Sequence, residues 1–504
     1  MLSSRAVGVF VAIALLASSR ASRAEPRGDP SVSFPLLVPH EKHYLRAVLE
    51  VGGVLVVGFV DYLLNTTDRG GTMRPDEARW RLRYDWPVLR DKLVGTGLNL
   101  DGNALATNYV SHPFAGTLYY TAARSNHLSF AESYAFAVVA STTWEYFGEI
   151  REPASINDLV VTPVSGVAIG EPLMQLAHFV QRSSGGLPAK ALAFALAPMK
   201  TINEWTEGAQ PSRDAPLPWH RFDLALGAGA TVQERVSAGR TPAYFDQRLT
   251  ADLRIASLPG YGAPGRQQQL FDDGNVSRVV VELALSRGEL VDGLFATRLV
   301  PVGLWTRGVD GHGFLLGLRM GFEYGAHDYD RDRRRPVDVV GLASPLGIAF
   351  EHSFTRGPLQ VRTGLDMSGA MSAVRSYGLA RYAAERSLDD ALTPIRNHGY
   401  YHAIAISTEP FVDVSHGALR VAASFRYDAF QSIRGLDEVE SVVANGPRFG
   451  DRRTRLATSV AVVPPGTSWR LGLDLRRSSR AGRAGGYDDG RSELSAWASV
   501  GASF

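Results

Sequence analysis

Cysteine is missing from all 504 residues. Disulfides, thiolate-bound zinc and cysteine nucleophiles are therefore excluded. An excess of either charge is missing too. The 53 basic and 51 acidic residues nearly cancel, a balance that does not suggest nucleic acid as a partner. The chain has no G-x-S-x-G, no phosphate-binding P-loop, and neither H-E-x-x-H nor its inverse. No cofactor is implied, and no familiar hydrolase or metalloprotease motif announces itself.

A long apolar run is absent from the start of the chain as well. Arg5 supplies a positive charge, Val7 to Ala17 form a short apolar stretch, and Ser22-Arg23-Ala24 places small residues where a signal peptidase looks. The run is shorter than the roughly 20 residues a membrane span needs, so residues 1–24 read as a signal peptide and the protein as exported. The remainder is too long for one core. It divides into a helical domain over 25–210, a linker at 211–218 (PSRDAPLP), and a β-domain over 219–504.

Before the linker the apolar spacing is helical. Residues 43–64 (HYLRAVLEVGGVLVVGFVDYLL) form an apolar stretch interrupted by Gly52-Gly53 and bounded by Arg46 and Asp61. In a chain bound for the outer membrane this predicts a buried or interfacial helix rather than a span, because long apolar helices are retained in the inner membrane. Ser129 and Glu132 have the spacing of a capping box, opening a helix that runs to about Glu149 and stops before Pro153. A further helix is expected from Thr162 as N-cap with Pro163 at its first position. Gly166 and Gly170 would lie on one face of it and permit close helix contact.

After the linker the period changes to two. Phe314, Leu316, Leu318, Met320, Phe322 and Tyr324 alternate with Leu315, Gly317, Arg319, Gly321 and Glu323. Leu471, Leu473 and Leu475 alternate with Arg470, Gly472, Asp474 and Arg476. One face is apolar; the other is charged or tiny. In a membrane barrel the apolar face meets lipid, and the polar face lines a lumen where glycine saves space. About twelve such segments follow Trp219, an even number as single-chain bacterial barrels require. The stretches 328–335 and 433–452 read as extracellular loops. Trp219, Trp305, Tyr324, Tyr400, Tyr401 and Trp469 suit interfacial girdles. Lumen-facing Arg221, Asp223, Arg248, Asp252, Arg254, Arg319 and Glu323 carry both signs and can pair across the lumen. Leu494, Ala496, Ala498, Val500, Ala502 and the terminal Phe504 share one face, an ending similar to the closing strand that barrel assembly machinery reads. The fold class is therefore α+β, an N-terminal helical domain followed by an antiparallel transmembrane β-barrel. Outer-membrane lipid and the assembly machinery are its expected partners.

Polar residues gather between 101 and 178: Asp101, Asn103, Asn108, His112, Arg124, Trp144, Glu145, Glu149, Asn157, Asp158, Glu171 and His178. The surrounding phrases are TNYVSHPFAGTLYY, WEYFGE, SINDL and GVAIGE. Over about residues 90–180 they resemble an uncharacterised bacterial envelope family, a domain of unknown function similar to DUF3943, here joined to an outer-membrane barrel. The resemblance brings no established activity. Its residues must be read chemically. Glu145 and Glu149 stand four apart on a helix, and two like charges in an apolar setting raise one pKa and create an acid/base pair. With His112 and Asp158 they form a candidate catalytic group, or the ligands of an unidentified divalent metal. Asn108, Arg124 and Glu171 are candidate ligand-binding residues. The structural alternative pairs Glu145 or Glu149 with Arg124 or Arg151, and has His112 cap a helix before Pro113. Two functions follow. In one the protein is an envelope anchor, docking protein or narrow pore with a periplasmic or lumen-plugging helical domain. In the other it is an envelope hydrolase acting on lipid or glycan through the Glu/His cluster.

Overall fold

The structure is a computed structural model that describes residues 41–64, 83, 85–95, 97–183, 186–208, 217–235, 239–240, 243–258, 261–262, 265–329, 338–385, 393–433, 448–484 and 486–504. The signal peptide, most of the 211–218 linker and most of the expected loops at 328–335 and 433–452 lie outside the described residues.

Period-two alternation builds twelve barrel strands: β1 (Trp219–Arg235), β2 (Tyr244–Ala256), β3 (Val276–Ser286), β4 (Glu289–Val300), β5 (His312–His327), β6 (Asp338–Arg356), β7 (Leu359–Arg375), β8 (Tyr401–His416), β9 (Leu419–Ser432), β10 (Phe449–Val462), β11 (Trp469–Ala484) and β12 (Tyr487–Ser503). Each pairs antiparallel with the next, and β12 pairs with β1, so the sheet closes and removes its edges. Phe504 completes the seam. Its N–H donates to the Phe222 carbonyl at 3.0 Å, and the Phe222 N–H donates to the Phe504 carbonyl at 3.1 Å. The rim holding Trp219 and Phe504 is called lower here, and the opposite rim upper.

The polar faces meet inside. Arg298 of β4 reaches Asp366 of β7 at 2.6 Å, Glu323 of β5 meets Arg426 of β9 at 2.6 Å and Arg453 of β10 at 2.7 Å, and Arg476 of β11 meets Glu282 of β3 at 2.6 Å. Arg221 of β1 also pairs with Asp413 of β8. None of these strands are neighbours, so the pairs cross the lumen. Glycine makes room for bulk there: a Cβ on Gly227 would lie 2.4 Å from the Trp497 ring, over which Arg248 stacks at 4.7 Å. Both mouths are narrowed. In the upper one, α8 (Tyr377–Glu385) and α9 (Thr393–His398) bury Leu379, Tyr382 and Ile395 against lumenal Val340, Leu342 and Phe430. In the lower one, Trp305, Phe271 and Leu315 cluster with Tyr261, whose hydroxyl donates to Glu351 at 3.2 Å.

This corrects part of the girdle expectation. Trp469 is exposed on the outer wall, but Trp305 and Tyr401 turn into the mouths, and Tyr400 and Tyr324 are covered by helices. Tyr401 hydrogen-bonds lumenal Asp451. An aromatic residue near a strand end marks a rim without saying which face it takes.

Among the described residues, the helices before the barrel are α1 (Tyr44–Leu64), α2 (Trp86–Leu93), α3 (His112–Ser125), α4 (Phe130–Thr143), α5 (Ile156–Ser183), α6 (Leu187–Leu196) and α7 (Pro198–Glu207). A π-helical turn, Thr107–Ser111, leads into α3, and another, Trp144–Gly148, follows α4. The Ser129/Glu132 capping box is present with both of its bonds. The expected start at Thr162 is not. The helix begins at Ile156, where the Ser155 hydroxyl accepts the Asp158 N–H at 3.1 Å, and Pro163 and Pro172 lie inside it. Ser155 takes the capping role first, about two turns nearer the N-terminus than the proline suggested.

These helices do not enter the lumen. Side chains alternate along a strand, so Phe322, beside lumenal Glu323, points outward, and it packs with Val164 and Val167 of α5. Outward Ala373, Val339, Ala343, Met320 and Leu299 join the same core. At the other end of α5, Leu176 and Phe179 meet outward Val279, Ile255 and Phe222. Helix α5 thus crosses the outer wall from β7 near the upper rim to β1 near the lower. The expectation of a lumenal plug is corrected, for a physical reason. The lumen is lined by ion pairs that an apolar helix face cannot satisfy, whereas the outer wall offers apolar surface.

Candidate functional site

The bundle is fastened to the wall at two heights. Toward the lower rim, strands β3 and β4 break together at 272–275 and 301–302, and the short strands Gln267–Phe271 and Gly303–Arg307 continue the wall beneath. Buried Arg124 reaches into this break. Its Nε donates to Glu171 at 3.0 Å, and its Nη2 lies 2.9 Å from Asp273. Glu171 also accepts from the Tyr120 hydroxyl at 2.7 Å and from Gln175 at 3.1 Å, and Ser277 of β3 donates to Gln175 at 2.6 Å. Gly274, at φ +70°, allows the approach: a Cβ there would lie 2.8 Å from the Glu171 side chain. Arg124 and Glu171, two of the candidate ligand-binding residues, thus meet each other and the barrel in a closed clamp.

Toward the upper rim a second cluster forms where α3, α5 and the 101–104 loop converge. His112 lies 3.5 Å from Asp158, and Asp101, His112 and Asp158 present ligand atoms within 4.8 Å of one another. The buried Asn108 amide donates to Asp101 at 2.7 Å and to the Tyr400 hydroxyl at 3.1 Å. The barrel completes the arrangement, since Tyr400 donates to the Asn103 carbonyl at 2.6 Å and His402 Nε2 lies 3.2 Å from the Asp101 carbonyl. Asn108 therefore belongs with His112 and Asp158.

Glu145 and Glu149 stand beside this group. Glu145 accepts the Ser155 N–H at 2.7 Å, and Glu149 accepts the Trp144 indole N–H at 3.2 Å. Lys92 lies between them, but its Nζ donates to their backbone carbonyls, at 2.5 and 2.6 Å. Burial pushes the Glu145 carboxyl up to about 8, against the pull of the Ser155 amide. Burial and then the neighbouring Glu145 push Glu149 well above the usual carboxylate range. Burial also lowers Lys92. The expected partners pair elsewhere: Arg151 with Asp85 at 3.0 Å, and Arg124 with Glu171. The sequence left Lys92, Tyr400 and His402 out of the group. The last two lie about three hundred residues downstream, and no local pattern links them to it.

Residues 97–199, ahead of the outer-membrane-type barrel, match the family model described as "Domain of unknown function (DUF3943)". No curated protein matches. Among solved structures, the chain is similar to OmpT, an outer-membrane protein of Vibrio cholerae (7% identity, TM-score 0.19, covering 56% of this chain and 97% of that one). It is also similar to the Pseudomonas putida toluene transporter TodX (9%, TM-score 0.20, 57% and 89%). A third is Pseudomonas aeruginosa OpdK with vanillate (10%, TM-score 0.16, 56% and 99%). These likenesses concern barrel architecture alone.

Proposed function

We propose that this protein is an outer-membrane anchor: a barrel closed to transport that carries its helical bundle against the outer wall, inside the bilayer. Export would use the N-terminal signal, and insertion would use the closing strand that ends at Phe504.

The observation that carries the reading is the outer face of α1. Its exposed residues from Leu45 to Val60 are Leu45, Val48, Leu49, Gly53, Val56, Val57 and Val60, none charged. Beside it α4 exposes Ala131, Ala135, Val138, Val139 and Thr142. Charge gathers at the two ends: Lys42 with Glu132 at one, exposed Asp61 and the Arg151–Asp85 pair at the other. This is the polarity of a surface solvated by lipid between two wet interfaces. The apolar surface continues onto the barrel at Ile404, Ile406, Leu471 and Leu473, all exposed.

Retention in the inner membrane argued against a span, and the helices meet that argument by being only marginally apolar. Helix α1 carries Arg46, Glu50 and Asp61 in 21 residues, and α5 has Pro163 and Pro172 inside it. Arg46 and Glu50 are turned inward, toward Glu207, Asn126 and Asn203. Such helices can escape the inner membrane and become stable in lipid only once the wall and their own partners cover the polar groups.

Ion flow tests the closed state. Purified protein reconstituted in planar bilayers should show no steady conductance, because Arg298, Glu323, Arg426 and Arg476 pair across the lumen. Stable, porin-sized openings would replace the anchor with a channel.

A further inference from the structure

We propose that Asp101, His112 and Asp158 hold a divalent transition-metal cation that ties the helical bundle to the upper rim of the barrel. The geometry is that of a ligand set: one imidazole and two carboxylates with donor atoms within 4.8 Å of one another.

Charge balance favours the cation. In the lumen each buried acid has its guanidinium, as Glu323 has Arg426 and Arg453. At the upper rim four buried or half-buried acids, Asp101, Glu145, Glu149 and Asp158, have Lys92 as the lysine among the described residues that reaches them, and it spends its bonds on backbone carbonyls. A dication would supply what arginine supplies elsewhere. Asn108 is an independent sign. It is 0% exposed and its amide points at Asp101, yet its Oδ1 has no hydrogen-bond partner. Turning the amide over, which exchanges O and N and gives up the bonds to Asp101 and the Tyr400 hydroxyl, would direct this oxygen to the same point as a fourth ligand.

The ligand chemistry selects the class of ion. An imidazole with carboxylates and an amide oxygen suits Mn2+, Fe2+ or Zn2+ better than Ca2+ or Mg2+, whose preferred ligands are all oxygen. The position gives the consequence. Asp101 lies in the loop whose carbonyls are held by Tyr400 and His402 of the barrel, His112 opens α3 and Asp158 opens α5. One ion would join three segments of the bundle at the point where they touch the wall.

The test uses the full chain, purified in detergent without a histidine tag, stripped with chelator and titrated with Zn2+ alone. One equivalent should bind saturably and raise the unfolding temperature. Asp158→Asn and His112→Gln should each weaken binding at least tenfold, while Glu207→Gln, in the separate His43–His127–Glu207 group, should not. Absence of saturable uptake, or uptake unchanged in both variants, would overturn the proposal. If neither variant assembles, wild-type protein loaded with Mn2+ decides the matter. Its electron spin echo spectrum must show one imidazole nitrogen, and a spectrum with no nitrogen coupling would overturn it equally.

Discussion

Gly116 and Gly166 bring α3 and α5 into backbone contact: a Cβ on Gly116 would lie 1.9 Å from the Thr162 carbonyl oxygen, and one on Gly166 would lie 2.4 Å from the Gly116 carbonyl carbon. Small residues at a helix crossing allow this approach, and in lipid such packing is a main source of helix association. Gly116→Ala should push the helices apart and cost about 1–3 kcal/mol, the usual range for overpacking. Because the strain falls on the bundle, limited proteolysis should release bundle fragments while the barrel keeps its heat-modifiable migration. A barrel that fails together with the bundle would show that the two fold as one unit.

Glu323 neutralises two lumenal arginines at once, Arg426 and Arg453. Glu323→Gln keeps the volume and removes the charge, leaving both guanidiniums in a site that Asp428, with Glu409 at 3.9 Å from Arg426, must balance. Breaking a buried pair on one side costs about 3–5 kcal/mol. The temperature at which the compact gel band disappears should fall clearly. An unchanged temperature would mean that lumenal water screens these charges.

Leu473 and Gly472 are neighbours on opposite faces of β11. Leu473 is 66% exposed on the outer wall, whereas a Cβ on Gly472 would meet Ser499 at 2.7 Å and Arg470 at 2.9 Å. Leu473→Arg should therefore destabilise the barrel in lipid by about 2–4 kcal/mol, the midplane cost of a charge, and much less in a detergent that lets the side chain reach water. Gly472→Ala should cost little in either, because the atoms its Cβ meets are the movable ends of the Ser499 and Arg470 side chains. Equal behaviour of the two variants in lipid and detergent would put the lipid face elsewhere.

Burial of Glu145 has a sign that pH can read. Its carboxyl is raised to about 8 in the folded protein, so the unfolded chain gives up the proton first as pH rises. In chelator, stability should be greatest near the ordinary carboxylate pKa and should fall as pH approaches 8. Glu145→Gln should flatten this part of the profile and unfold at a higher temperature than wild type at pH 8. A wild-type profile level from pH 5 to 8 would show that Glu145 stays ionised in the fold.

The sequence made the barrel legible because each strand repeats one physical rule. Leu318, Leu473 and Leu475 face out, while Arg319, Glu323 and Asp474 face in, as alternation requires. Gly166 and Gly170 were readable as contact glycines, and the Ser129/Glu132 cap as a helix start, because those signals are local. What sequence could not give was the side of the wall. Phe322 and Leu318 share a face, yet α5 covers one and the other is exposed, and nothing within β5 distinguishes them. The upper cluster was half visible for the same reason. His112, Glu145, Glu149 and Asp158 stood in neighbouring phrases, but Tyr400 and His402 join them only through the fold.

Whether α1 faces lipid is the most direct question to put to this account, and the lack of native cysteine makes it simple to ask. A single cysteine at Val57, 69% exposed on α1, can carry a nitroxide in protein reconstituted into liposomes, with a second label at Leu473 as the lipid-facing reference. Power saturation then compares access of oxygen, which concentrates in the bilayer, with access of a water-soluble nickel chelate. The account predicts that the Val57 label behaves like the Leu473 label, open to oxygen and closed to nickel. A Val57 label open to nickel, beside a Leu473 label closed to it, would place the bundle in water and contradict the account.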